Sequence, residues 1–303
     1  MRAGGTVAVT AGLFVAATAT TAIVIGGGPH ARSMPSVREL LARGPEGDPI
    51  TVLTAYDTPT ARLVDDAGID VILVGDSIGD AVLGHDSSLP VRLDTMVTHT
   101  AAVARGADDA LVVADLPFLS YGVSEPESLR NAGRLLKEAG AGAVKLESGP
   151  HTVELTRRLV ELGIPVQAHL GLTPQHVNRV GLQRQGTDEE AAAEILDLAE
   201  AHEEAGAFSL VLEHVPANVA AVVTDELDIP TIGIGAGAET DGQVLVVDDA
   251  VGLSERAPPF AKAFGDVRGE MVDAVAAYRD AVVEGSFPGD EETYVEEGLE
   301  LDR

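Results

Sequence analysis

From residue 50 onward, short apolar runs alternate with longer stretches of helical periodicity. The runs occupy residues 52–56, 71–74, 111–114, 143–146, 166–168, 209–212, 231–234 and 244–247. Most are continuously apolar, as in parallel strands whose two faces are both buried. The intervening stretches carry helix signals. Ser124-x-x-Glu127 and Thr187-x-x-Glu190 read as capping boxes. Pro59 suits a first helical turn. Gly68, Gly106, Gly140, Gly163 and Gly206 stand where helices should stop before the next strand. Eight strands alternating with helices predict a closed (β/α)8 TIM barrel of the α/β class over residues 34–290. An open doubly wound sheet is the alternative. It would place a Gly-rich turn after the first strand, where this chain has Tyr56-Asp57-Thr58-Pro59. Residues 266–284 predict a last helix, and 291–303 an acidic tail.

Composition narrows the chemistry. The 303 residues contain no cysteine, which excludes disulfides, thiolate metal sites and a cysteine nucleophile. The formal net charge is −29. A surface of that sign repels nucleic acid and anionic membranes and suits high salt, where screening weakens self-repulsion. Residues 7–25 are apolar and threonine-rich, close to the ~20 residues of a membrane span. They read as a signal or anchor, as a tail folded on the barrel, or as an over-extended reading frame preceding a start at Met34. The last fits best, since no cleavage site or twin arginine precedes Met34. A dispensable 1–33 extension and a cytoplasmic enzyme follow as expectations.

Barrel chemistry sits at the C-terminal ends of strands. The ends of strands two to six supply Asp76-Ser77, Asp115, Glu147, His169 and Glu213. Asp76, Asp115 and Glu147 come from successive strands about 4.8 Å apart and can converge. Converging carboxylates repel unless a cation lies between them, and oxygen-only ligands select Mg²⁺ or Mn²⁺. Lys145 is two residues before Glu147, hence on the same strand face. It is one of only three lysines, so an ammonium there is a candidate for binding a substrate carboxylate. Each residue also has an ordinary structural reading. Asp76 and Asp115 could cap helices, Lys145 could pair with Glu147, and His169 could be a satisfied core histidine. His99, among Ala and Val, reads as packing. His85 and Asp86 read as loop residues at the mouth, and Gly233-Ile234-Gly235-Ala236-Gly237 as a tight turn that admits a small substrate.

Several ordered stretches resemble the ketopantoate hydroxymethyltransferase family. They are Thr54-Ala55-Tyr56-Asp57, Val74-Gly75-Asp76-Ser77-Ile78-Gly79, Ala114-Asp115-Leu116-Pro117-Phe118, Val144-Lys145-Leu146-Glu147, His169-Leu170-Gly171-Leu172-Thr173-Pro174-Gln175, Leu212-Glu213 and Ile232 to Gly237. Asp241-Gly242-Gln243 and Phe287-Pro288-Gly289 also fit, so the likeness runs from about 36 to about 294. The resemblance implies a barrel of the phosphoenolpyruvate/pyruvate superfamily and a homo-oligomer, commonly a decamer. It implies transfer of a one-carbon unit from 5,10-methylenetetrahydrofolate to 3-methyl-2-oxobutanoate, on the way to pantothenate and coenzyme A. It further implies Mg²⁺ on Asp76, Asp115 and Glu147, and keto-acid contacts from Asp76, Ser77, Asp115 and Lys145. Glu213 would be the proton acceptor, and His169 would line the site. Lyases of the same superfamily usually use a cysteine acid/base, which this chain lacks.

Overall fold

The structure is a computed structural model that describes residues 37–41, 47–296 and 298. The apolar stretch 7–25, Met34 and, in the tail, residues 297 and 299–303 lie outside the described residues. Eight parallel strands close on one another in sequence order: β1 (Ile50–Thr54), β2 (Val71–Val74), β3 (Leu111–Asp115), β4 (Ala143–Glu147), β5 (Val166–Gly171), β6 (Ser209–Glu213), β7 (Thr231–Ile234) and β8 (Gly242–Leu245). The β1–β8 ladder, with Val52 opposite Val244, closes the ring and excludes the open sheet. The helices are α1 (Val37–Leu41), α2 (Thr58–Asp66), α3 (Ile78–Ala81), α4 (Leu93–Ala104), α5 (Glu125–Lys137), α6 (Val153–Glu161), α7 (Val177–Val180), α8 (Glu189–Glu204), α9 (Ala217–Glu226), α10 (Val247–Ala250) and α11 (Val267–Glu284). A 3₁₀ turn at Pro174–His176 precedes α7.

Continuous apolar runs are explained by apolar contacts on both sides of the sheet. Ile50, Val52, Val71, Leu73, Leu111 and Val113 pack inside the ring, and Leu40 of α1 joins this inner cluster. Ile72, Val74, Val112, Val144 and Leu146 face outward against the helices. Strands three to six run one to three residues past their apolar runs, and the first and last strands are each shifted two residues toward the N-terminus. The first ladder ends at Thr54, although Ala55 and Tyr56 remain buried beyond it. The last begins at Gly242-Gln243, polar residues that a search for apolar runs passes over.

The helix signals are partly corrected. The α8 cap is Asp188, whose carboxylate accepts from Ala191 N at 2.9 Å, not Thr187. Ser124 occupies the α5 cap position, but its side chain makes no capping bond. Instead Ser128 Oγ donates to Ser124 O and accepts from Gly122 N. Gly106 is needed for closeness: a Cβ there would lie 2.6 Å from Thr58 O of α2.

At the N-terminal end of the barrel, carboxylates tie turns to neighbouring strands. Asp65 accepts from the amides of Asp108, Asp109 and Ala110, just before β3. Asp70 accepts from Thr51 N and Oγ1, Glu203 from Asp228 N and Ile229 N, and Asp241 from Thr231 N and Oγ1. α11 differs from the other long helices, because none of its residues is buried.

Candidate active site

The strand ends open into one cavity of about 830 Å³. Asp76, Ser77, Asp115, Lys145, Glu147, His169 and Glu213 all line it. Every residue singled out as a candidate from strands two to six is therefore brought together. Asp115, Glu147 and Glu213 are the last residues of β3, β4 and β6, and Lys145 shares the inward face with Glu147.

The geometry is dense on the β2–β4 side. Lys145 Nζ lies 2.8 Å from Asp115 Oδ1, so the ammonium pairs with Asp115 and not with Glu147. Asp115 Oδ2 accepts from Asp76 N at 2.9 Å, while its Oδ1 has no well-aligned hydrogen bond. Burial, then Asp115, raises the pKa of the Asp76 carboxyl to about 8, and the Lys145 ammonium, then the Gln175 side-chain amide, oppose the rise only in part. Burial alone would lower Lys145. Asp115, Asp76 and Glu147 together outweigh it and hold the ammonium above the ordinary lysine value. Ser77 Oγ shares a 2.8 Å hydrogen bond with Tyr56 OH.

Gln175 organises this side, and reading strand ends alone does not find it. Its amide Nε2 donates to Asp76 Oδ2 at 2.8 Å and to Leu116 O at 3.0 Å. Its Oε1 accepts from Tyr121 OH at 2.9 Å, and its backbone N donates to Glu147 Oε1 at 2.9 Å. His176 Nδ1 lies 3.2 Å from Glu147 Oε2. The signal is present in sequence, because Thr173-Pro174-Gln175 lies just beyond strand five, but on a turn and not at a strand end.

Across the ring, Glu213 is partly exposed to the cavity, and His169 Nε2 lies 3.2 Å from its Oε2. The pair is out of line for a hydrogen bond, so neither ring nitrogen of His169 has a hydrogen-bond partner among the described residues. His169 is therefore not a satisfied core histidine. His99 is half-buried and satisfied: its Nδ1 meets Tyr56 O at 2.6 Å and ties α4 to the segment just after β1. His85 and Asp86 are both exposed, and Asp86 lies at the cavity rim. The glycine turn after β7 meets protein groups before any ligand. A Cβ on Gly235 would lie 2.9 Å from the Phe260 ring, and one on Gly237 would lie 2.5 Å from Ala217 Cβ.

A divalent cation suits this donor set. Three buried carboxylates share one ammonium, and their donor atoms are all hard oxygens. Among the described residues, no three acidic or imidazole side chains stand as a ready-made ion cage. Glu147 is turned to the Gln175 amide, so its oxygens serve that bond as the chain stands. No helix of the described residues is long and apolar enough to cross a membrane.

Comparison with known proteins adds the rest. The family model described as ketopantoate hydroxymethyltransferase matches residues 35–290. A 3-methyl-2-oxobutanoate hydroxymethyltransferase of Haloarcula marismortui is 66% identical over 267 residues, covering 88% of this chain and 99% of that protein. The enzyme of that name from Geobacter sulfurreducens is 52% identical over 244 residues, covering 80% and 91%. Among solved structures, phosphoenolpyruvate phosphomutase from Streptomyces platensis subsp. rosaceus superposes with a TM-score of 0.57 at 15% identity, covering 83% of this chain and 88% of that one. A 2,3-dimethylmalate lyase of the PEP mutase/isocitrate lyase superfamily gives 0.51 at 20% identity, covering 86% and 93%. These two share the fold. The high-identity relatives, matched over the whole barrel, carry the activity class: this chain is a hydroxymethyltransferase and belongs to the ketopantoate hydroxymethyltransferase family.

Proposed function

We propose that the chain transfers a one-carbon unit from 5,10-methylenetetrahydrofolate, or another carrier with the same pterin head, to 3-methyl-2-oxobutanoate, giving 2-dehydropantoate. The observation that carries this reading is the single cavity that sets Glu213 across the ring from Asp76, Asp115 and Lys145. Asp76, Asp115 and Glu147 would hold Mg²⁺, which when bound supplies Lewis acidity to the keto and carboxylate oxygens.

The chain's own groups do the remaining work. Lys145, kept charged by its carboxylate neighbours, offsets negative charge that develops on the keto acid. Ser77, held by Tyr56, orients a substrate oxygen. Glu213 takes the proton from C3, and His169 at 3.2 Å offers it a ring nitrogen that nothing else engages. The C3 carbanion then bonds to the one-carbon unit. The C–N bonds that held the unit to the carrier break, water supplies the hydroxyl oxygen, and the carrier leaves with its two nitrogens reprotonated by the C3 proton and a proton of that water.

Glu213→Gln keeps the shape of the side chain and removes its basicity. It is expected to abolish C3 proton exchange with solvent, followed by NMR in deuterium oxide, while keto-acid binding persists. Exchange at the wild-type rate in that variant removes Glu213 from the role.

A cytoplasmic setting belongs to the same reading, as does a homo-oligomer that nucleic acid does not join. The apolar face of α11 supports assembly. Met271, Val275, Tyr278 and Val282 recur at helical spacing, and all are exposed.

A further inference from the structure

The groups assigned to the keto acid come from β2 to β6 and leave part of the barrel mouth without a role. Above β7, β8 and β1 the cavity continues along Val246, Asp249 and residues 253–260. At about 830 Å³ the whole space is large. Sites for drug-sized ligands span about 300–1,000 Å³, and a five-carbon keto acid fills a minor part of it.

Asp249 stands in this second lobe. It sits on α10, whose start is fixed by Val247 N donating to Thr54 Oγ1 of β1 at 2.9 Å. Asp249 is 8% exposed and lines the cavity. Its carboxylate makes no hydrogen bond or ion pair among the described residues. Its charge is felt by the acidic groups Asp80 and Asp248, and Asp80 lines the same cavity; an occupant carrying N–H groups would offset that repulsion and give the carboxylate its donors. Two carboxylate oxygens accept two parallel N–H donors well. Nearby, Phe260 lies against His214 with ring centroids 5.6 Å apart, and it is seated on Gly235. It offers an aromatic wall to a flat heterocycle.

We propose that this lobe holds the 2-amino-4-oxopteridine head of the one-carbon carrier. Asp249 accepts from the exocyclic amino group and the adjoining ring N–H, and Phe260 walls the ring. The assignment rests on the hydroxymethyl-transfer reading above. It adds the subsite for the second substrate and a residue that selects it. Glu213, at the end of β6, borders both halves, as a base acting between two substrates must.

The test is steady-state kinetics of the full chain with Mg²⁺, 3-methyl-2-oxobutanoate and 5,10-methylenetetrahydrofolate. Asp249→Asn is expected to raise KM for the carrier roughly 50-fold and KM for the keto acid less than about two-fold. A carrier analogue lacking the 2-amino group is expected to bind the wild-type chain about 100-fold more weakly. The variant should no longer tell the two apart. 6-Methyltetrahydropterin, which has the head and no tail, should compete with the carrier, separating recognition of the head from recognition of a folate tail.

Equal binding of the analogue and the parent by the wild-type chain overturns the proposal without any variant. An unchanged carrier KM in Asp249→Asn does the same, as does a rise shared equally by both substrates. A wild-type chain that exchanges the C3 proton but never turns over with the carrier overturns the donor assignment instead. One that shows no exchange overturns the parent reading.

Discussion

At the scale of single residues, the candidate site divides into groups that sequence reveals and groups that it hides. Asp76, Asp115, Lys145, Glu147, His169 and Glu213 are legible because a barrel delivers strand ends to one place, and their polarity breaks apolar runs. Gln175, Tyr121 and Asp249 are not legible in this way. Gln175 and Tyr121 lie on connecting segments, and a neutral side chain after a strand carries no charge signal. Asp249 lies four residues beyond β8, and that strand begins earlier than its apolar run suggests. His202 shows a buried group whose cost is visible in pH. Its Nδ1 meets Thr156 Oγ1 at 3.1 Å between α6 and α8, and burial pushes its pKa down to about 4. The unfolded imidazole titrates near 6.5, so the unfolded chain binds more protons between about 4 and 6.5. Stability from this group is complete above about pH 6.5 and is lost as pH falls toward 4, by at most about 3 kcal/mol. Denaturant titrations of wild type and His202→Gln across that range should converge at the acidic end. A constant gap would show that His202 stays uncharged throughout, or that its burial costs nothing.

At the scale of elements, all eight strands and their order follow from apolar runs alone, because a parallel barrel buries both faces of each strand. Their limits do not follow, because hydrogen bonding and burial part company at the ends. Ala55 and Tyr56 are buried past the β1 ladder, whereas Gln243 is paired but polar. Capping was legible as a region and not as a residue, since Thr187 and Asp188 are both good caps and only the Asp188 carboxylate reaches Ala191 N. The turn from β5 shows how closely neighbouring strand ends are coupled. Gly171 has φ +91°, and a Cβ there would lie 2.2 Å from Glu213 O, the oxygen that also accepts from Leu172 N at 2.7 Å. Gly171→Ala should therefore displace the end of β6 together with its base. The expected result is a loss of more than about 1 kcal/mol of stability, with C3 exchange slowed disproportionately. Equal exchange rates in folded variant and wild type would show that the β5 turn does not set the position of Glu213.

At the scale of the whole molecule, charge and one exposed helix set the conditions for stability. With a net charge of −29, self-repulsion is long-ranged at low salt, where the Debye length is about 10 Å at 0.1 M, and short-ranged near 1 M, at about 3 Å. Thermal midpoints should rise steadily from low to molar salt, and a flat profile would contradict adaptation to salt. Val275 in the middle of α11 is 66% exposed, and Val283 is 80% exposed. If copies assemble through this face, Val275→Glu should shift sedimentation toward smaller species. An unchanged profile places the contact elsewhere. The two effects reinforce each other, since assembly of acidic copies also needs screening. The carboxylates bound to amides beneath the barrel bear on any attempt to adapt the enzyme to dilute buffer. Lowering its charge by replacing acids wholesale would strip out Asp65, Asp70, Glu203 and Asp241, which act as pegs holding the floor of the barrel together. A version for fresh water would have to neutralise the outer helix faces and leave those four in place.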